Sequence, residues 1–202
     1  MSTSSHFGGE DPKSRHPQQL RGHERVAQLL KSGADVFAEK GFDATTMTEI
    51  AARAGASIGS LYQFFPNKDT LADTLHRANI EAIAGLLDEL GNSAPTNTPG
   101  AVADNILAKL SEFLLAHPEF ATISERRNIN GAQKLYVRDL MRTKISHLLQ
   151  IASPPLSKEN ADTFAVIILH LMKTLVAIHQ EAELMNREDA ISSLRNMLRQ
   201  SL

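Results

Sequence analysis

The run ASIGSLYQFF, positions 56–65, carries small and polar side chains at a spacing that could contact another macromolecule. Ser57, Gly59 and Ser60 are small at the N-terminal end of the helix that the run predicts, so its backbone can approach a partner closely. Tyr62 and Gln63 follow with polar tips that can donate hydrogen bonds to phosphates. A helix of this kind fits the major groove of duplex DNA, with base edges in reach of its N-terminal end.

Local signals before and within this run predict the elements that hold it in place. Thr46 and Glu49 have the spacing of a capping box, in which a hydroxyl and a carboxylate satisfy two free amides at the start of a helix. Gly55 can end that helix in the left-handed conformation, and Ser57 can cap the next one. Two short helices joined by this tight turn make a helix-turn-helix.

Apolar residues at helical spacing predict how the two short helices pack. We expect Ile50 and Leu61 to face a core and Ala51 to let the helices cross closely. We expect Phe64 to close the hydrophobic cluster. An earlier helix, from about residue 21, should stop at Gly41, which suits a C-terminal cap position.

The start of the following helix offers an anion site, since its N-terminal amides and Lys68 suit a phosphate. Thr46 can do the same at the start of the second helix. Residues 1–70 hold eight Lys and Arg against eight Asp and Glu, so binding must depend on placement rather than net charge. The predicted DNA contacts are Thr46, Ser57, Ile58, Gly59, Ser60, Tyr62, Gln63 and Lys68.

Composition narrows the remaining possibilities. The 202 residues suffice for one domain or two small ones, and the formal net charge of -2 gives no hint of nucleic acid. Without cysteine, disulfides and thiol catalysis are excluded. The stretch FAVIILHLMKTLVAIH from Phe164 is short for a membrane span and is interrupted by His170 and Lys173. We therefore expect a cytoplasmic protein with no membrane partner.

The pattern along the chain predicts an all-α protein of about nine helices, since no segment alternates in the manner of a strand. We expect a disordered tail at 1–18, a three-helix head with the helix-turn-helix at 19–66, and a larger helical body at 67–202. Lys13, Arg15 and Arg21 could form an arm that reaches a minor groove. The alternative is a solvated tail followed by an exposed arginine.

The segment from about residue 21 to residue 71 resembles the DNA-binding head of the TetR family of bacterial repressors. The residues that carry the resemblance are Thr45-Thr46, Ile50-Ala51, Ala54-Gly55, Ser57, Gly59, Leu61-Tyr62, Phe65 and Asn67-Lys68. The resemblance implies a homodimer that binds a palindromic operator, with residues 67–202 as an effector-binding and dimerisation domain. A small-molecule effector would change the spacing of the heads and release the DNA.

The body holds candidate residues for both of these roles. Its helix from Ser157 is apolar nearly all round, which indicates burial on several faces, one of them against a partner chain. The predicted dimer interface comprises Phe164, Ile168, Leu171, Leu175, Ile191, Leu194 and Leu198. The candidate effector-binding residues, for which core packing is the competing interpretation, are Phe113, Phe120, Arg127, Tyr136, His170 and Met172. Residues 125–127 could add a cation for an acidic effector, or form a solvated face or an ion pair.

The leading hypothesis is a ligand-responsive transcriptional repressor that is not an enzyme and needs no cofactor. His117 and His147 lack metal-ligand spacing with a carboxylate pair, so no metal site is expected. A small helical enzyme is one alternative, although the sequence shows no nucleophile–base pair and no phosphate-binding glycine loop. A helical protein-interaction scaffold is the other, and in that case Ser60, Tyr62 and Lys68 would be replaceable by alanine.

Overall fold

The computed structural model describes residues 15–124, 126, 131–181 and 183–202. Lys13 of the predicted arm and Arg127 of the predicted effector site lie outside them. The described residues form nine α-helices and a short 3-10 helix, without a strand, which confirms the predicted all-α architecture. The helices are α1 (Arg15–Ala44), α2 (Met47–Arg53), α3 (Ile58–Phe64), α4 (Lys68–Gly91), α5 (Pro99–Ala116), α6 (Glu119–Ser124), α7 (Gly131–Gln150), α8 (Lys158–Gln180) and α9 (Arg187–Gln200).

Helix α1 begins earlier than the sequence pattern predicted. It starts at Arg15, inside the segment expected to be a disordered tail. Pro17 is compatible with this start because the first turn of a helix has no use for its missing amide hydrogen. The other end of α1 is as predicted, since Gly41 takes a φ of 79° and breaks the helical path there.

The head, α1 to α3 with the start of α4, packs around its own hydrophobic core. Fully buried members of this core are Leu29, Phe37, Ile50, Leu61 and Leu71. The α1–α4 crossing is tight at Gly33, where an added Cβ would lie 2.6 Å from a Leu71 methyl group. Ile123 of α6 belongs to the same core. The head is therefore completed by residues from beyond the predicted boundary at residue 66.

The body surrounds a second core contributed by α4, α5, α7, α8 and α9. Its fully buried residues include Ile106, Leu107, Ile145, Leu149 and Ile168. Helix α9 lies close against α5, because Arg195 forms two hydrogen bonds of 2.7 and 3.0 Å to Asp104. An added Cβ at Gly100 would also lie 2.6 Å from the Arg199 carbonyl oxygen, so only glycine permits this approach.

Helix α8 is more exposed than the sequence suggested. In the part of the chain that the structure describes, it is the one helix long and apolar enough to cross a membrane by length and composition alone, over 22 residues with a mean hydropathy of 1.7. The expectation that the stretch is too short for a span is corrected, because the helix starts six residues before Phe164. The core helix of a soluble protein can be as long and as apolar, yet only 22% of the apolar stretch of α8 is buried.

Candidate nucleic-acid interface and ligand cavity

The helix-turn-helix has the predicted caps and turn. The amide of Glu49 donates to the Thr46 hydroxyl at 3.3 Å, and the Thr46 amide donates to the Glu49 carboxylate at 3.0 Å, so the capping box is complete. A cap of this kind stabilises a helix by about 1 kcal/mol. Gly55 adopts the left-handed conformation with a φ of 58°. Ser57 accepts a hydrogen bond from the Ser60 amide at 3.1 Å and begins α3.

Ion pairs between α1 and α2 hold the two helices in their relative orientation within the head. Lys40 binds Glu49, and Arg53 binds Glu39 with both ends of its guanidinium. The Lys40 ammonium, followed by the Thr46 hydroxyl and amide, lowers the pKa of Glu49 from 4.5 to about 2. Arg53 likewise lowers the pKa of Glu39. Exposed pairs contribute little energy each, so their main effect here is orientation.

Helix α3 presents most of the predicted DNA contacts on one free surface. Ser57, Ile58, Gly59, Tyr62 and Gln63 are exposed, and Ser60 is half-buried between them. Nothing lies within 4 Å of the position of a Cβ added at Gly59. The buried side of the helix is apolar, so the exposed side can meet a groove without disturbing the core.

The phenylalanine pair that ends this region is used differently from the prediction. Phe64 is 40% exposed, whereas Phe65 is 4% exposed and closes the head core. Phe65 follows the fully buried Leu61 by four residues, and residues at this spacing share one face of a helix. The expectation that Phe64 closes the cluster was therefore wrong, and the spacing from Leu61 would have identified Phe65.

Lys68 caps the end of α1 instead of extending toward solvent. Its Nζ donates to the carbonyl oxygens of Phe42, Asp43 and Thr45 at 2.6, 3.2 and 2.9 Å. The ammonium also lies 4.4 Å from the centroid of the Phe42 ring. These contacts use all three donors of the ammonium, so the expected phosphate contact of the Lys68 side chain is corrected to a role inside the head.

The body contains a cavity of about 540 Å³ between α4, α5, α6, α7 and α8, a volume suited to a small molecule. Of the predicted effector-binding residues, Phe120, His170 and Met172 line it. Phe113 is buried in the core, where its ring packs edge-on against Phe120 with centroids 5.9 Å apart. Tyr136 is 68% exposed and lies outside the lining. Both of these expectations are therefore corrected.

Basic residues that are absent from the predicted effector-binding set also line the cavity. Arg138 and Arg142 of α7 and Lys173 of α8 contribute to its wall, as does His76 of α4, whose ring stacks on Phe120 at 5.9 Å. The spacing of the two arginines by four residues places them on the same face of α7. That spacing was the available signal, but only the packing of α7 against α8 shows that the face borders a cavity.

Helix α6 contacts the cavity and the head at once. Phe120 and Ala121 line the cavity, while Ile123 is fully buried in the core of the head. Arg126, just after the helix, donates to Asp73 at 2.6 Å, and its guanidinium lies 4.9 Å from the Phe42 ring centroid. The cation predicted near this position for an acidic effector is thus bound to the head instead.

The predicted dimer residues divide into two groups. The buried group faces the protein's own core, so these residues cannot contact a partner: Ile168, Leu175, Ile191 and Leu198. The second group is partly buried at the edge of that core: Phe164, Leu171 and Leu194. Beside the second group, Ile167 is 40% and Met197 70% exposed. The exposed apolar surface of α8 and α9 therefore lies on a different side of these helices from the predicted interface.

The arrangement defines an all-helical protein with an N-terminal helix-turn-helix head, attached to a body that contains a cavity. Residues 29–75 match the family model described as bacterial regulatory proteins, tetR family. The match covers the end of α1, all of α2 and α3 and the start of α4, about a quarter of the chain, so it shows that the head is similar to the corresponding segment of that family.

Individual relatives are similar mainly in the head. The HTH-type transcriptional repressor KstR2 of Rhodococcus jostii is 38% identical over 66 residues, which are 33% of this chain and 32% of that repressor. The chain thus matches about a third of that relative's length.

Two solved structures share the whole fold. A TetR-family transcriptional regulator from Streptomyces coelicolor is 24% identical with a TM-score of 0.65, covering 88% of this chain and 95% of that one. The fatty acid degradation regulator FadR from Bacillus halodurans is 17% identical with a TM-score of 0.67, covering 88% and 96%.

Proposed function

We propose that the protein is a cytoplasmic transcriptional repressor that binds a palindromic operator as a homodimer and is released by a small-molecule effector. The observation that carries the proposal is the free face of α3, from Ser57 to Gln63, held outward by a capped and ion-paired α2. The head is similar to that of a protein named a repressor, which supports repression rather than activation.

Binding at the major groove follows from the shape of α3. Ser57, Gly59 and Ser60 at its N-terminal end permit close approach to base edges, whereas Tyr62 and Gln63 reach phosphates. Thr46 is exposed at the start of α2. Because its hydroxyl already donates to Glu49, Thr46 is a weaker candidate for a phosphate contact than the residues of α3. The proposed DNA surface is therefore α3 with the start of α2.

Dimerisation follows from the apolar surface of α8. Phe164, Ile167, Leu171 and Ile178 recur at spacings of three, four and seven residues along one side of the helix, and Ile167 remains 40% exposed. Such a row is typical of a helix that packs against another helix. A second copy of α8 and α9 would cover it and pair the two heads. Paired heads would then read half-sites about one DNA turn, roughly 34 Å, apart.

Effector control follows from the position of α6. A molecule that fills the cavity contacts Phe120 and Ala121, and any resulting shift of α6 would move Ile123 within the core of the head. Close packing transmits such shifts because cores deform little. The neighbour named a fatty acid degradation regulator supports a metabolite as the effector of this chain.

Selection of bound fragments from the source genome tests the proposal and supplies the operator. On that operator, gel-shift titrations should show that Tyr62→Ala weakens binding to all sequence variants alike, whereas Ser60→Arg changes the preferred sequence. Tyr136→Ala is the matched control, because Tyr136 is exposed on the body and lies outside the cavity lining. Unchanged binding by Tyr62→Ala, or a uniform loss for Ser60→Arg with the same preference, would contradict contact through α3.

A further inference from the structure

We propose that the molecule bound in the cavity has an extended apolar part and one anionic group, a carboxylate or a phosphate, that Arg138, Arg142 and Lys173 bind. The inference deepens the proposed function by giving the chemical class of the effector, and its regulatory meaning rests on that function. The binding itself does not, because the cavity and its charges belong to the body alone.

The charges of the cavity wall are all of one sign. Arg138, Arg142 and Lys173 line it, and none of the lining residues that the structure describes is an aspartate or glutamate. The remainder of the wall is mainly apolar, with Ile80 and Met172 among its members. A cationic ligand would meet repulsion here without a carboxylate to bind, whereas an anion would be attracted from solvent.

The three cations are poorly neutralised within the described part of the chain. Arg142 reaches only Asp139, with its nearest contact at 3.9 Å, and its Nε is buried without a hydrogen-bond partner among those residues. Arg138 and Lys173 form no ion pair there. Two arginines four residues apart on one helix repel each other, so an anion bound between them offsets that repulsion.

The apolar part of the ligand follows from the rest of the wall. Ile80, Leu169 and Met172 line the cavity and are only partly buried, so a hydrocarbon chain bound there removes their apolar surface from water. A purely apolar ligand would leave the arginines without an anion. A small free anion would leave the apolar wall wet. A molecule that combines both parts can pair with the cationic side chains and cover the apolar wall.

Calorimetric titration of the full chain, without DNA, tests this class directly. The four probes share a ten-carbon tail: decanoate, decyl phosphate, decanol and decyltrimethylammonium, each below its micelle-forming concentration. We expect one or both anions to bind about tenfold or more tightly than decanol, and the cation more weakly than decanol. The tighter anion identifies the head group. Equal binding of decanol and both anions, tightest binding of the cation, or binding of none of the four would overturn the proposal.

Charge-removing variants locate the anion. Arg142→Met and Lys173→Met should each weaken binding of the preferred anion about tenfold and leave decanol unchanged. Lys158→Met is the matched control on α8, because Lys158 is exposed, pairs with Asp162 and lies outside the cavity lining. Thermal unfolding of each variant shows that it is folded. Anion affinity that is the same in both cavity variants and in the control would overturn the assignment of these residues.

The two proposals fail separately in these experiments. Anion binding by a chain that selects no DNA fragment would refute the proposed function and leave the cavity assignment standing. DNA binding by a chain whose cavity prefers none of the anionic probes would refute the ligand class and leave the DNA-binding function standing.

Discussion

The head packs its helices closely around one apolar core, with small residues where helices cross, whereas the body leaves space between its helices. In the head, Ala51 and Ala54 are buried where α2 and α3 meet, and Gly33 admits a Leu71 methyl group. In the body, the same kind of helix packing leaves a cavity of about 540 Å³ and an uncovered apolar side of α8. The head is therefore the more closely packed region, and the body is the region with space for a small molecule.

The largest expected effect separates the two sides of α3. Leu61→Ala removes a fully buried side chain from the head and should lower the free energy of unfolding by about 2–5 kcal/mol. Its neighbour Tyr62→Ala removes a side chain that is 49% exposed and should change stability by about 0.5 kcal/mol or less, while weakening DNA binding. Chemical denaturation followed by circular dichroism measures both values. Similar stability losses for the two variants would mean that Tyr62 packs inward.

The next effect concerns the surface of the body. Ile167→Lys places a charge in the proposed α8 interface, and burial of an unpaired ammonium costs several kcal/mol, so we expect the dimer to dissociate into monomers at micromolar concentration. Sedimentation velocity measures the change, and operator affinity should fall with it. Leu135→Lys is the control, since Leu135 is 58% exposed on α7. A dimer that persists in Ile167→Lys would place the interface on another surface.

The sequence predicted the head in more detail than the body because the signals of the head are local. The capping box of Thr46 and Glu49 and the left-handed turn at Gly55 depend on residues a few positions apart. The inward position of Ile168 and the cationic wall at Arg142 depend on how distant helices pack. An evenly apolar helix such as α8 does not reveal from its own sequence which side faces the core.

Lys68 shows the same limit inside the head. Its position at the start of α4 suited a phosphate contact, but the structure brings the end of α1 close enough for three carbonyl oxygens to accept from it. Those carbonyls lie 23 to 26 residues away in the chain. The sequence pattern of a single helix cannot show that the end of α1 lies beside Lys68. The start of α4 was predicted correctly, but this long-range contact determines what the Lys68 side chain does.

A third prediction tests the link between the two regions. Arg126→Gln removes a side chain that is 3% exposed and binds Asp73 and, at 3.6 Å, Asp69. Because hydrogen bonds to charged groups contribute about 1.5–3 kcal/mol, we expect a stability loss of about 2 kcal/mol and a smaller effect of effector on operator affinity. Gel shifts with and without the preferred anionic probe measure the second effect. Arg195→Gln, which breaks a pair within the body, is the control; an equal loss of effector response there would remove the special role of Arg126.

The smallest effect concerns the acid sensitivity of the head. Lys40 and Thr46 lower the pKa of Glu49 from 4.5 to about 2. The ionised carboxylate therefore stabilises the folded state at pH values above 4.5, its pKa in the unfolded chain. That contribution is lost as the pH falls from about 4.5 toward 2. Glu49→Gln keeps a residue that can complete the capping box but removes the charge, so its melting temperature should fall less than that of the wild type over this range. Melting curves recorded between pH 2 and pH 6 measure the difference, which should be small because the pair is exposed. The corresponding change in the body, Glu89→Gln on the exposed side of α4, provides the baseline. If both variants follow the wild type in parallel, the ion pair between α1 and α2 does not stabilise the head, and its rigidity must come from the packing around Ile50 and Leu61 alone.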